Sequence, residues 1–315
     1  MKKLLLTLFV LFHCFVIYSQ DDDMELEFAF ASASRNDVSF LKIMVSNGAD
    51  LNRAYEKYNL STPLHIAAEY GSKEVVQYLG EIGVDLDVFN GSSLSPLMIA
   101  VFKGNYEVAN ILLELGAKIN IKNKVNYSGL FLATANGYLD AIDFFLKNKA
   151  DMYTTGGFHG DMAMHIYIGN MLNNNIAIDI NVIKLYLENG YDPNYKDEYG
   201  YQLIHSLAMQ NNVEVVKLLE KYDIDYNAIA DLEITPLWIS GMSNSLETLS
   251  YLIGKGARID YKISNGKTIL MWAVQNNQTD LVKRLVELGA SLSCKDIEGK
   301  TAIDYASEDM KEYLQ

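Results

Sequence analysis

The sequence predicts an all-α solenoid made of about nine repeated pairs of short helices. Three observations support this fold class: a motif that recurs at near-constant spacing, an amphipathic stretch after each copy, and a turn that closes each unit. The 315 residues are 50% hydrophobic, so the chain can bury a large core. A repeat array distributes that core along the chain, because each unit packs only on its neighbours.

The recurring motif is clearest in "TPLHIAAEYG", which places His65 in the fourth position. The same frame returns seven times, with spacings of 33, 33, 34, 40, 33, 33 and 33 residues. A degenerate copy with Phe30 in the fourth position precedes them. The fourth position of the later frames holds Met98, Phe131, His165, His205, Trp238, Met271 and Asp304.

An amphipathic stretch follows each frame, as in "SKEVVQYLGEIGVDLD" at residues 72–87. Its apolar residues recur at helical spacing and predict a second helix with one buried face. Each unit then closes on a segment such as "NGAD", "IGVD" or "LGAK". The apolar positions of this example are Val75, Val76, Tyr78, Leu79 and Ile82.

A period of 33 residues with the motif Thr-Pro-Leu-His resembles the ankyrin repeat, over about residues 24–315. The resemblance implies helix-turn-helix units joined by β-hairpin-like loops, with a C-terminal cap. The units are expected at approximately 24–56, 57–89, 90–122, 123–155, 156–196, 197–229, 230–262, 263–295 and 296–315.

The residues of the motif have physical reasons to occupy these positions. The hydroxyl of Thr62 can cap the first helix, and Pro63 suits its first turn, where the backbone amide has no helical partner. Ala67 would let neighbouring helices approach closely. Gly71 and Gly83 can adopt the positive φ that ends a helix.

The first 19 residues are interpreted as a signal peptide. Two lysines precede an apolar run from Leu4 to Tyr18, which is short for a membrane span and is followed by an acidic segment. Cleavage after Ser19 would leave Gln20 at the N-terminus, as in secreted proteins of Bacteroidetes-type bacteria. The prediction is an exported protein, periplasmic or secreted, and the alternative is a protein anchored in a membrane by this segment.

The net charge of the chain argues against two classes of partner. Loss of residues 1–19 would remove Lys2 and Lys3, so that 24 basic residues face 40 acidic ones and the net charge changes from −14 to −16. Such a surface repels nucleic acid and anionic lipid. We therefore expect a basic or neutral protein partner, no nucleic acid, no membrane insertion after signal cleavage, and a monomer.

No group of residues predicts catalysis, a metal site or a cofactor. The resemblance implies that His65, His165 and His205 tie their turns to neighbouring backbone, and His159 lies outside the pattern in a loop. Cys14 and Cys294 are the only cysteines. With the histidines assigned, the nucleophile, base and orienting group that an enzyme needs are not found together.

One unit departs from the regular period. Seven extra residues lie between His165 and His205, and the segment "GNMLNNNIAIDIN" at 169–181 is expected to lengthen the turn between the two helices of that unit. Met162 replaces the capping threonine of the same unit. The insertion is open to two interpretations: drift at a tolerant loop, or a role in bending or recognition.

The resemblance also implies where a partner binds. In ankyrins the turn tips before the motif, and the two positions before the glycine that ends the first helix, line a concave face. In this sequence those positions hold seven aromatic residues, which we expect to face solvent along one side: Tyr58, Tyr70, Phe102, Tyr127, Phe158, Tyr199 and Tyr201.

These observations favour a non-catalytic scaffold that binds a protein through its concave face and finger loops. Two other functions stay open: an inhibitor or immunity-type protein that neutralises one toxin or enzyme, and a periplasmic stress-defence factor. A toxin gene beside this one would favour the first and a catalase gene the second. An enzyme is the distant alternative, and a catalytic constellation hidden in the fold would be its evidence.

Overall fold

The computed structural model describes residues 22–157 and 161–314, whose regular secondary structure consists almost entirely of short helices. These residues form two compact units. Unit 1 contains residues up to 133 together with 138–157, and unit 2 contains residues 134–137 together with 161–314. The segment 1–21, on which the signal-peptide prediction rests, and residues 158–160 lie outside the described residues.

Unit 1 holds the helix pairs of repeats 1 to 4. Each pair has an inner helix, which carries the repeated motif, and an outer helix, which is the amphipathic stretch. Inner helices pack on inner helices of the next repeat, and outer on outer, as the repeat period predicts. The pairs are α1 (Asp22–Ser34) with α2 (Val38–Ser46), α3 (Pro63–Tyr70) with α4 (Lys73–Glu81), α5 (Pro96–Phe102) with α6 (Tyr106–Glu114), and α7 (Gly129–Ala135) with α8 (Leu139–Lys147).

Unit 2 continues the same arrangement through repeats 5 to 9. Its pairs are α9 (Ala163–Asn173) with α10 (Ile180–Glu188), α11 (Leu203–Ala208) with α12 (Val213–Lys217), α13 (Pro236–Met242) with α14 (Leu246–Gly254), and α15 (Ile269–Gln275) with α16 (Thr279–Glu287), followed by the 3-10 helix Ala302–Tyr305 with α17 (Glu308–Lys311). Further 3-10 turns lie at Glu56–Tyr58, Leu218–Lys221 and Asp231–Glu233, and two-residue strands at β1 (Thr155–Gly156) and β2 (Asp161–Met162). The prediction of an all-α repeat solenoid is confirmed.

The inner helices begin and end as the motif predicts. Pro63 is the first residue of α3, where its missing amide hydrogen costs no helical hydrogen bond. Ser95 caps α5 by accepting a hydrogen bond from the amide of Met98, an interaction worth about 1 kcal/mol. Gly71 (φ 73°) and Gly83 (φ 81°) provide the left-handed backbone that follows α3 and α4.

The core lies between the two rows of helices. Ala67 and Ala68 are fully buried on α3, where their small side chains let adjacent inner helices approach. Of the predicted apolar face of α4, Val75, Val76 and Leu79 are fully buried. Tyr78 is half-buried and Ile82 is 41% exposed, so the buried face is narrower than predicted. Within each unit, each repeat therefore contributes an apolar layer that packs on its neighbour.

The loops between repeats, here called the finger loops, are joined by polar contacts at the repeat spacing. In repeat 3, the side-chain oxygen of Asn90 accepts hydrogen bonds from the amides of Ser92 and Leu94 and fixes the turn. Between fingers, the amide of Gly91 donates to the carbonyl of Asn59 (2.7 Å). In unit 2 the amide of Asp231 donates to Tyr199 in the same way (2.8 Å). The backbone groups of the tips are thus partly satisfied by the neighbouring repeat.

The insertion of repeat 5 lengthens a helix as well as a turn. Helix α9 has 11 residues, whereas the other inner helices of repeats 2 to 8 have 6 to 8. Residues 174–179 then connect α9 to α10. The predicted lengthening of the turn is confirmed, since six residues separate these helices where two or three separate the helices of repeats 2 to 4. The longer helix was not predicted: "IGNMLN" contains no proline and continues the helical hydrogen bonding to Asn173.

Candidate functional site

The repeated histidine position is structural in repeat 2. His65 is 1% exposed, and the amide of Thr62 donates to its Nδ1 (3.0 Å). Nε2 therefore carries the proton and donates to the carbonyls of Val88 (3.1 Å) and Leu94 (3.2 Å). Burial lowers the pKa of His65 to about 4, so the ring is neutral near pH 7. Both ring nitrogens are occupied, which leaves neither for a substrate or metal.

Three other residues at this position reproduce part of that geometry. His205 accepts from the amide of Gln202 and donates to the carbonyl of Ala228, 23 residues later, as His65 does to Val88. Trp238 donates its ring N–H to the backbone carbonyl of Tyr261, again 23 residues later (3.4 Å). The carboxylate of Asp304 reproduces the other half of the geometry: it accepts from the amide of Thr301 (2.7 Å), as His65 accepts from that of Thr62. Because residues of such different chemistry serve one turn, the structural role predicted for His65 and His205 is confirmed.

His165 differs from the other two histidines. Its Nδ1 lies 3.2 Å from Oδ2 of Asp197 in the next repeat, and in the described part of the chain its buried Nε2 has no hydrogen-bond partner. The prediction that His165 binds neighbouring backbone was wrong. Burial opposes ionisation of Asp197, but the hydrogen bond from His165 and the amides of Tyr201 and Tyr199 outweigh it and lower the pKa of the carboxyl.

The remaining candidates for chemistry show no assembled centre. Cys294 is a half-buried free thiol, and His159 lies outside the described residues. No group of three or more His, Cys, Asp or Glu side chains within 22–157 and 161–314 has the arrangement of a metal site. In the same ranges, no helix is both long enough and apolar enough to cross a membrane.

Three of the seven aromatic residues predicted to bind a partner are exposed to solvent. Tyr70, at the end of α3, is the most exposed at 64%. Tyr199 lies at a finger tip in repeat 6 and is 38% exposed. Tyr58 is the least exposed of the three at 36%, because its ring packs edge-on against Phe30 with the centroids 4.6 Å apart.

The other four do not fit the expectation of a fully solvent-facing row. Phe102, Tyr127 and Tyr201 are half-buried, and Phe158 lies outside the described residues. The ring of Tyr127 stacks on Phe131 (4.6 Å, 9°), a residue of its own repeat. Tyr201 packs edge-on against His205 (5.4 Å), and burial raises the pKa of its phenol. Tyr127 and Tyr201 therefore pack against the inner helix that follows their finger loop. The repeat frame alone did not indicate this packing.

Sequence reasoning missed a second group of aromatic residues at the start of the outer helices. Tyr106 begins α6, and Tyr138 precedes α8 as its N-cap residue. Both line clefts between repeats 3 and 4, together with Phe102. A signal was available, because the position of Tyr106 holds Lys73 one repeat earlier.

Comparison with known proteins gives matches along nearly the whole chain. The family described as "Ankyrin repeats (3 copies)" matches residues 28–123, 130–230, 171–263 and 243–315. Among individual proteins, the chain is similar to the transient receptor potential cation channel subfamily A member 1 homolog of Caenorhabditis elegans, at 34% identity over 113 residues. It is also similar to alpha-latrotoxin-Lg1a of Latrodectus geometricus, at 29% over 136 residues. Ankyrin repeat domain-containing protein 46 of Rattus norvegicus is 28% identical over 121 residues.

These similarities are confined to parts of each protein. They cover 36%, 41% and 38% of this chain, and 9%, 10% and 50% of the three relatives. They therefore concern the repeats and not the whole activity of any relative. Together with the family match and the repeated helix pairs, they show that the chain belongs to the ankyrin-repeat family.

Proposed function

We propose that this chain is a non-catalytic scaffold that binds a protein partner through its finger loops and the C-terminal ends of its inner helices. Ankyrin repeats are generally protein–protein interaction modules. The observation that carries the proposal is the exposure of Tyr70 and Tyr199 at these positions. Tyrosine supplies a large contact area with little conformational entropy to lose, and it is enriched among residues that dominate binding energy.

The charge of the chain favours a basic or neutral partner. With 40 acidic and 26 basic residues, its field attracts cationic surfaces and accelerates their association. A side chain as exposed as that of Tyr70 (64%) can bind a partner without first breaking the packing of a buried ring. We therefore place the main contact on the exposed tyrosines and give the half-buried ones a supporting role.

The test uses a partner recovered by cross-linking in the native compartment and then purified. Tyr70→Ala and Tyr199→Ala should each weaken binding roughly tenfold, measured by calorimetry, because each removes an aromatic anchor. The control is Ile82→Ala, which removes an apolar side chain at the end of an outer helix whose exposure (41%) is close to that of Tyr199 (38%). Folded Tyr70→Ala and Tyr199→Ala variants that bind as tightly as the control would contradict the proposed surface.

We also propose that the chain is exported, on the basis of the lysine pair, the short apolar run and the Ser19-Gln20 junction. Mass spectrometry of the native protein should then find a chain that begins near Gln20 in an extracytoplasmic fraction. A chain with intact Met1 in the cytoplasm would refute export and leave the binding proposal untouched.

A further inference from the structure

Two adjacent clefts of unit 1 lie between repeats 3 and 4, at the start of the outer helices α6 and α8. One has a volume of about 340 Å³ and the other about 730 Å³. Tyr106 and Asp140 line both clefts. None of the lining residues belongs to a finger loop. The larger cleft borders the end of inner helix α5 at Phe102, but neither cleft contains Tyr70 or Tyr199, on which the proposal above depends.

Aromatic rings form much of the wall. Tyr106 stacks on Phe144 with the centroids 5.4 Å apart and the ring planes 20° apart. Phe144 is buried, so it holds the tyrosine ring in place from one side. In the larger cleft Phe102 packs edge-on against Tyr138 (6.1 Å), which is 54% exposed. The result is a supported aromatic surface that is open to solvent.

The corresponding positions one repeat earlier form an ion pair, which shows that Asp140 lacks a cationic partner. Lys73 begins α4, and it forms an ion pair with Glu107, the second residue of α6. One repeat later, Tyr106 holds the lysine position and Asp140 holds the glutamate position. The carboxylate is retained, but its cation has been replaced by an aromatic ring.

The other basic side chains of the clefts are already engaged. Lys147 binds Asp143 (2.6 Å), and Lys103 binds Glu69 (2.8 Å). Asp140 has no ion pair with any residue of the described chain, and it is exposed. The site therefore offers one uncompensated negative charge next to a fixed aromatic ring.

We propose that this cleft binds an arginine side chain of a protein partner, with the guanidinium against Tyr106 and in contact with the Asp140 carboxylate. A planar guanidinium can stack on an aromatic face and donate two parallel hydrogen bonds to a carboxylate. A lysine ammonium is a more strongly hydrated point charge without that planar shape. The arginine would supply the cation that Lys73 supplies one repeat earlier.

The electrostatics of the cleft agree with a cationic occupant. Burial raises the pKa of Tyr106, and the charges of Asp140 and Asp143 raise it further. The same negative potential that disfavours a phenolate attracts a guanidinium. The net charge of −14 adds a long-range attraction of the same sign.

The experiment is an NMR titration of the full chain with N-acetyl-arginine amide, observing the aromatic resonances of Tyr106 and Phe144. Saturable shifts are expected at both rings. N-acetyl-citrulline amide, a neutral analogue of similar shape, should give none. Asp140→Asn and Tyr106→Leu should each weaken binding by about fivefold or more, because each removes one of the two contacts.

The matched control is Asp280→Asn. Asp280 is the second residue of α16, as Asp140 is of α8, but Leu246 and Arg284 replace the two stacked rings there. This variant should bind the arginine derivative as the native chain does. Equal shifts with the citrulline analogue, unchanged binding by folded Asp140→Asn, or equal binding of N-acetyl-lysine amide would overturn the proposal. None of these outcomes depends on the finger-loop surface, so the two proposals fail separately.

Discussion

His65 and His165 occupy the same position of repeats 2 and 5 but make different contacts. His65 is enclosed by an amide on one side and two carbonyls on the other. His165 faces the carboxylate of Asp197, and Met162 replaces the threonine at its helix start. The comparison shows that a repeat motif determines the position of a side chain, whereas the loop of the next repeat determines its partner.

The residue that begins the next finger loop accompanies this difference. In repeats 2 and 6 the ring donates to a carbonyl 23 residues further along the chain. Asn90 begins the finger loop that follows His65, and its side-chain oxygen accepts the amides of Ser92 and Leu94. Asp197 holds that position after His165 and accepts the amides of Tyr199 and Tyr201 through Oδ1, while its second carboxylate oxygen faces the histidine ring.

The largest expected effect is an acid-induced loss of stability from the enclosed histidines. The folded-state pKa of His65 and His205 is about 4, below the ordinary 6.5. Below pH 6.5 the unfolded chain therefore binds more protons than the folded one, and the free energy of unfolding falls as pH falls towards 4. From pH 7 to pH 5 each histidine should contribute a loss of roughly 2 kcal/mol.

This loss is measured by urea unfolding at the two pH values, followed by circular dichroism. The control is the double variant His65→Leu/His205→Leu, which should lose about 4 kcal/mol less than the native chain over the same pH interval. Equal losses in the two proteins would show that other groups cause the pH dependence.

The next largest effect is that of His65→Leu alone at pH 7. Removal of the imidazole leaves the amide of Thr62 and the carbonyl of Val88 without its hydrogen bonds in a buried site. We expect a loss of about 3 kcal/mol, since each buried unsatisfied group costs about 1 to 3 kcal/mol. Urea unfolding measures this loss, and a change below about 1 kcal/mol would contradict the structural role.

The smallest effect is expected for His165→Leu. Asp197 would keep its two backbone amides, and the buried Nε2 has no partner to lose. We expect a loss of about 1 kcal/mol, measured in parallel with His205→Leu, which lies in the same unit. If the two variants lost equal stability, the distinction between the two histidine environments would be wrong.

Several features could be read from the sequence because they depend on local chemistry or on period. The helix start at Thr62-Pro63, the turn at Gly71 and the buried face of α4 follow from propensity and helical spacing. The structural role of His65 followed from the resemblance to ankyrins, and the contacts of the ring explain it.

Other features depended on how far each side chain lies from the next repeat. The frame placed Tyr70 and Tyr127 alike at the partner-binding surface, but Tyr127 has Phe131 within stacking distance and Tyr70 remains exposed. The added turn of α9 was also not predicted. Inserted residues can either extend a helix or lengthen a loop, and no local signal ends this helix at Asn170.

The sequence by itself determined the repeat, the helix pairs and the acidic surface, because these depend on residue type and on spacing along one chain. Only the tertiary structure decided which residue each repeated position of the frame contacts. It paired His165 with Asp197 and set Tyr106 beside the uncompensated Asp140. The physical reason is that such contacts join residues about 32 to 34 positions apart, and their geometry depends on the exact stacking of neighbouring repeats.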